Sequence, residues 1–296
     1  MKKIMLVFGT RPEAIKMCPL VRELERYPDR VKTVVCVTGQ HRQLLDGVLT
    51  AFGVTPDYDL DLLRPEQSLF DITRGVLERL PSVLAAEQPD LVLVHGDTTT
   101  AFAAALCCYY LSVPVGHVEA GLRTYDPAAP WPEEFNRCAI DVVSRYSFAP
   151  TESCRENLLR EGRRPESVFV TGNTVIDALR ITVRPDFVHP VLDWSAGSRL
   201  ILVTAHRREN QGEPMRRLCR ALRRVVEEFP DVKAVYPVHP NPAVREIARQ
   251  ELESCERIRL IEPLDMPAFH NLLARCFFVL TDSGGIQEEA PALGIP

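Results

Sequence analysis

Of the five acidic residues in one stretch of this chain, LVLVHGDTTTAFAAALCCYYLSVPVGHVEAGLRTYDPAAPWPEE, from Leu91 to Glu134, four stand where they could do chemistry. Asp97 ends the apolar run that begins at Leu91, and Glu119 ends the run Val113 to Val118. Glu133 and Glu134 follow on what reads as a Pro-rich loop. Carboxylates gathered in a partly dry crevice raise one another's pKa toward working pH, which suits them to exchange protons with a substrate. The plainer reading makes each one a helix cap or a solvated loop charge.

Two further places could hold an anion. Gly9-Thr10-Arg11-Pro12 turns a first strand into a helix, so backbone N–H groups, the helix dipole, Arg11 and Lys16 could meet a phosphate. In the second half, Asp282-Ser283-Gly284-Gly285 opens a helix that carries Glu288 and Glu289. Its glycines let backbone N–H groups approach phosphate oxygens, and a carboxylate one or two turns along could take ribose hydroxyls; a glycine-rich cap is the alternative. His206 stands beside Arg207 and Arg208 at another strand end, also placed for a phosphate, although a lone histidine there is more often structural. The prolines around His239 read as turn-formers. Neither GxGxxG nor GxxxxGK occurs.

Positioning these groups requires parallel strands with crossover helices. The apolar runs Lys3–Phe8, Val31–Val37, Leu91–Val94 and Val113–Val118 alternate with helical patterns from Pro12, after His41, from Leu69 to Ala86 and after Thr98. Past Glu134 come a helical pattern, an extended Ser147–Ala149, a helix capped at Thr151, a strand at Val168–Val170 and a helix from Thr174. Periodicity stops from Arg184 to Ser198, and alternation then resumes from Arg199 to Thr281. In open α/β sheets ligands bind at the carboxyl ends of the strands, so Asp97 and Glu119 are expected side by side at one rim. The expected division is a first domain over 1–170, a joint over 171–198 and a second domain over 199–296.

At 296 residues the chain is long enough for two domains, with 46% hydrophobic and 25% charged residues, as in ordinary globular enzymes. A net charge of −5 offers no electrostatic footprint for nucleic acid or an anionic membrane. No apolar run approaches a membrane span or a signal-peptide core. Nine scattered cysteines without a CxxC pair fit a reduced, cytoplasmic setting and supply no zinc-ligand spacing.

Taken together, GTRPEAIKM, VTGQHRQLLD, HGDTTT, GHVEAGLRT, PWPEE, TGNTVIDAL, HRRE, PVHPNP and TDSGGIQEEAPALG resemble the bacterial non-hydrolysing UDP-N-acetylglucosamine 2-epimerases along nearly the whole chain. The resemblance implies two Rossmann-like, doubly wound domains of the GT-B type, with the active site in the cleft between them. It implies catalytic groups at Asp97, Glu119, Glu133 and His206, and a UDP-sugar site at Arg11, Lys16, Phe269, Ser283, Gly284, Gly285 and Glu289, with Phe269 against the uracil. It implies a second, activating UDP-sugar site at Gln40, His41, Gln67 and His239. Glu66 departs from that pattern, where relatives have Arg, and so does Leu264 near the uracil, where some have Gln. No cofactor, no metal, a homodimer and a role in cell-surface polysaccharide synthesis are also implied. The family continues past Gly294-Ile295-Pro296, so a C-terminal truncation is expected.

The chemistry implied is inversion at carbon 2 of UDP-N-acetylglucosamine. That proton is not beside a carbonyl, so departure of UDP from carbon 1 must acidify it, giving 2-acetamidoglucal, and re-addition completes the inversion. This needs a base, an acid on the opposite face and a clamp for the diphosphate. A hydrolysing epimerase or a GT-B glycosyltransferase is the alternative within the fold. A nucleotide-sugar binder without activity is the alternative outside it.

Overall fold

Parallel strands buried on both faces need near-continuous apolar runs, and KKIMLVF, VKTVVCV and LVLVH supply them. The computed structural model describes residues 1–39, 42–62, 64, 67–205, 207 and 210–296, with residues 42–44 described through their backbone alone. These residues divide into two units, Met1–Ala178 and Leu179–Pro296.

In the first unit, β1 (Lys2–Phe8), β2 (Val31–Val37), β3 (Tyr58–Asp59), β4 (Leu91–His95), β5 (Val115–Val118), β6 (Tyr146–Ala149) and β7 (Val168–Val170) form a parallel sheet in the order β3-β2-β1-β4-β5-β6-β7. The helices between them are α1 (Arg11–Leu24), α2 (Arg42–Phe52), α3 (Leu69–Glu87), α4 (Thr99–Tyr110), α5 (Glu133–Val143) and α6 (Glu152–Arg160). The order reverses between β1 and β4, so the loops after these two strands open away from each other and leave a crevice at their carboxyl ends.

The main core of this unit lies under α3 and α4. In α4 the run AFAAALCC buries Ala101, Ala103, Ala104, Ala105, Cys107 and Cys108 almost completely. Their small side chains let the helix lie close on the sheet while α3 and α5 flank it, which explains a helix apolar all round. Thr98 caps α4, accepting from the Ala101 N–H at 3.0 Å. Glu133 and Glu134 correct the sequence reading: they form the first turn of α5 after Pro132, where the positive end of the helix dipole favours carboxylates, and not a Pro-rich loop.

α7 (Val175–Thr182) carries the chain onward, and the stretch read as aperiodic contains a short helix, α8 (Pro190–Ser195), capped by His189. The second unit then builds β8 (Arg199–Thr204), α9 (Glu213–Glu228), β9 (Val232–Pro237), α10 (Pro242–Leu252), β10 (Ile258–Ile261), α11 (Met266–Leu273), β11 (Phe278–Thr281) and α12 (Gly284–Ala292). Its parallel strands run in the order β10-β9-β8-β11, so the reversal falls between β8 and β11.

Close approach of backbone to side chain decides one residue at the first crevice. A Cβ on Gly9 would lie 1.8 Å from the Thr38 hydroxyl oxygen, which is fully buried. Gly9→Ala should therefore cost about 1–3 kcal/mol through overpacking. The cost should shrink when Thr38→Ala is added, as urea unfolding of the single and double variants would show.

Candidate active site

The first crevice is organised by a carboxylate outside the expected set. Thr10 caps α1 and Glu13 completes a capping box, so a T-x-x-E spacing in GTRPE fixes the helix start. Glu13 is buried and accepts from the Gly9 N–H at 3.0 Å and the Thr10 N–H at 2.7 Å. Its other oxygen takes the Thr98 hydroxyl at 2.6 Å, tying the loop after β1 to the loop after β4.

Across this junction lies Glu119, at the end of β5, in the left-handed region at φ 66° that a non-glycine residue enters only when its surroundings compel it. One carboxylate oxygen of Glu119 takes a hydrogen bond from the Lys16 ammonium and another from Asn173 Nδ2 at 3.2 Å, with His95 Nε2 at 3.7 Å. Burial alone would raise this carboxyl, but His95 and then Lys16 outweigh it and hold the group well below the ordinary carboxylate range. The mutual raising expected of clustered carboxylates therefore fails at Glu119. Lys16, only 14% exposed, neutralises Glu119 at contact distance.

Asp97, directly after Gly96, pairs with Arg137, and its backbone carbonyl accepts from Asn136 Nδ2 at 2.9 Å. Arg137 also lies 3.4 Å from Glu134, whose other oxygen accepts the Thr124 and Tyr125 N–H groups at 2.9 Å each. Glu134 thus shapes the segment before α5. Glu133 and Arg11 are half-buried, and their side chains make no hydrogen bond or ion pair with another described residue. Asp97 and Glu119 consequently stand on neighbouring strand ends, each with its own cation. His95, Asn173 and Arg137 were not singled out from the sequence. Only Arg137 left a signal there, three residues after Glu134 on one helix face.

In the second unit the loops after β8 and β11 are tied together. Asp282 accepts from the Arg207 N–H at 2.9 Å and Asn210 Nδ2 at 3.0 Å, while Thr204 and Thr281 share a hydroxyl contact of 2.8 Å. Ser283 is the N-cap of α12, yet its side chain makes no capping bond. Gly284 and Gly285 are exposed, and a Cβ on Gly284 would come within 3.6 Å of the Arg207 guanidinium. An arginine therefore stands beside free helix N–H groups, the combination an anion needs. Glu289 is buried, 3.7 Å from His270 Nε2, and Phe269 packs half-buried against the core around α11.

Of the positions assigned to a second site, Gln67 donates to the Leu62 carbonyl at 2.6 Å in the first unit, and His239 is exposed at the end of β9 in the second. Gln40, His41, Glu66 and His206 lie outside the described residues. Among the described residues no helix is long and apolar enough to cross a membrane, and no group of three or more His, Cys, Asp or Glu could hold a metal ion.

Residues 22–296 match the family model described as UDP-N-acetylglucosamine 2-epimerase. The chain belongs to this family. It is 54% identical over 294 residues to the UDP-N-acetylglucosamine 2-epimerase of Bacillus subtilis strain 168, covering 99% of this chain and 77% of that protein. It superimposes on the crystal structure of a putative UDP-N-acetylglucosamine 2-epimerase from Listeria monocytogenes with a TM-score of 0.94 at 52% identity, covering 100% of this chain and 78% of that one. A UDP-GlcNAc 2-epimerase from Neisseria meningitidis, solved bound to UDP-GlcNAc, matches with a TM-score of 0.87 at 45% identity, over 99% of this chain and 81% of that one. The two parallel-sheet units are of the GT-B type, and a spinosyn rhamnosyltransferase at 17% identity shares the fold alone, with a TM-score of 0.56.

Titration of these carboxylates bears on stability. Hydrogen bonds from Lys3 and Tyr58 lower Glu87 from 4.5 to about 2, and Glu119 is lowered from the same starting value. A carboxylate held lower in the folded than in the unfolded chain stabilises the fold above its unfolded pKa, and the contribution is lost as the pH falls through the folded value. The urea midpoint should fall progressively from about pH 5 to pH 2. Glu87→Gln should flatten part of that fall, and an unchanged pH profile in the variant would exclude Glu87 as a source.

Proposed function

We propose that this protein epimerises UDP-N-acetylglucosamine at carbon 2, interconverting it with UDP-N-acetylmannosamine as a non-hydrolysing isomerase. The observation that carries the reading is the arrangement of Asp97 and Glu119 on neighbouring strand ends at the β1/β4 reversal, in a chain of this family. Relatives solved with UDP or UDP-GlcNAc bound support the substrate class.

In this reading the C1–O bond to UDP breaks while a carboxylate takes the carbon 2 proton, giving 2-acetamidoglucal and UDP. UDP then adds back to carbon 1 as carbon 2 receives a proton on the opposite face. Asp97, Glu119 and Glu133 are the acid/base set, joined by His206. Arg11, Lys16, the Ser283 side chain and the N–H groups of Gly284 and Gly285 hold the diphosphate, Glu289 takes the ribose and Phe269 the uracil. The cycle is redox-neutral and proceeds by proton transfer and electrostatic stabilisation, without a cofactor. Glu119 rests ionised, ready to accept a proton, but its depressed pKa makes it a weak base. A diphosphate that draws Lys16 to itself would remove one of the cations lowering Glu119 and strengthen the base when substrate is present. We also propose a cytoplasmic homodimer that supplies N-acetylmannosamine units for cell-surface polysaccharide.

In deuterated water, product formed by this route should carry deuterium at carbon 2, read by NMR or mass spectrometry. Epimerisation without label would refute elimination, and release of free N-acetylmannosamine with UDP would identify a hydrolysing enzyme instead.

Asp97→Asn, Glu119→Gln and Glu133→Gln keep shape but remove proton transfer. Each should lower kcat about a hundredfold or more with the fold and UDP binding largely kept. Near wild-type turnover in all three would exclude this acid/base set.

A further inference from the structure

His117 is fully buried on β5, two residues before Glu119, and both of its ring nitrogens face oxygen. Nε2 lies 2.7 Å from the Gly96 carbonyl oxygen, which can only accept. Nδ1 lies 2.7 Å from Asp141 Oδ1. Asp141 is itself buried, and its second oxygen accepts from Arg123 Nη2 at 2.8 Å and the Gly121 N–H at 3.3 Å. A carboxylate with this many donors is ionised. Burial pushes it up, but His117 and then Arg123 outweigh burial and lower it. Arg123 continues the chain of contacts to Glu161 through two hydrogen bonds of 2.8 and 2.7 Å.

A neutral imidazole would satisfy only one side of His117. With the proton on Nε2, the bare Nδ1 lone pair would face an ionised carboxylate at 2.7 Å; with the proton on Nδ1, a lone pair would face a carbonyl oxygen.

We infer that His117 is a doubly protonated positioning residue whose buried cation fixes the Gly96–Asp97 turn. Three backbone polar groups of the turn are held. Gly96, at φ 63°, donates its N–H to the Val118 carbonyl at 2.9 Å, the Gly96 carbonyl takes His117, and the Asp97 carbonyl takes Asn136. With the backbone locked, the Asp97 carboxylate is left 27% exposed at the crevice. The turn also lies against Glu119, whose Oε1 is 3.7 Å from where a Gly96 Cβ would stand. A shift of about 1 Å at such a group costs on the order of a hundredfold in rate. The functional half of this inference rests on reading Asp97 as a reacting group; the protonation half does not.

Nitrogen-15 NMR of the ring-labelled wild-type protein at pH 7 should show one slowly exchanging histidine with a proton on both nitrogens. The signal is assigned by its loss in His117→Gln or, if that variant does not fold, by its shift in Asp141→Asn. A single-proton tautomer at His117 would overturn the inference. In Asp141→Asn, which keeps shape but removes the counter-charge, the Gly96 amide should exchange about tenfold faster or more, and kcat should fall about tenfold or more with KM changed less than about threefold. Unchanged exchange and unchanged kcat in that folded variant would overturn the positioning role. A wild-type protein that does not epimerise would refute the proposed function instead, with the NMR and exchange readouts still deciding His117.

Discussion

One buried carboxylate joins the two loops between which the first sheet reverses its order. Glu13 accepts two backbone N–H groups from the loop after β1 and the hydroxyl of Thr98 from the loop after β4. Hydrogen bonds to a charged group contribute about 1.5–3 kcal/mol each, and three of them offset the cost of burying the charge. Because Thr98 also caps α4, a single ion sets the start of both helices that border the crevice. Lys16, one turn beyond Glu13 on α1, is thereby carried to Glu119.

Around that junction the polar groups are arranged in pairs. Glu119 has Lys16 and His95, Asp97 has Arg137, Asp141 has His117 and Arg123, and Glu134 holds two backbone amides. A cluster of carboxylates in a crevice would be unstable if the charges met each other directly. Cations placed against Glu119, Asp97 and Asp141 keep these carboxylates from meeting one another directly and fix their direction. In the second unit, Asp282 and the threonine pair draw the loops after β8 and β11 together. Its helix N-terminus is left with free N–H groups beside Arg207, a suitable complement to an incoming anion.

Much of this order is written locally. Alternating apolar runs and helical periods specify parallel strands and crossovers, since strands buried on both faces must be apolar throughout. Thr98, Thr151 and the Ser283-Gly284-Gly285 turn announce helix starts by residue type alone. That Asp97 and Glu119 end adjacent strands follows from βαβ connectivity. The resemblance to UDP-N-acetylglucosamine 2-epimerases rests on many ordered motifs, and it matches the family to which the chain belongs.

Tertiary structure decided the partners. Nothing in the spacing of Lys16 and Glu119, 103 residues apart, requires them to meet, nor of Glu13 and Thr98, 85 apart; strand order brings them together. The charge state of Glu119 follows from those contacts, which is why carboxylate clustering alone gave the wrong direction for its pKa. Glu133 and Glu134 moved from loop to helix because Pro132 and the dipole of α5 favour acids in a first turn, a choice visible only once the helix start is placed. Sequence by itself determined the layers, the strand ends and the family, because periodicity and residue type act over a few neighbours. Which side chains touch, and so which hold their charge, was settled by non-local packing that no local pattern encodes.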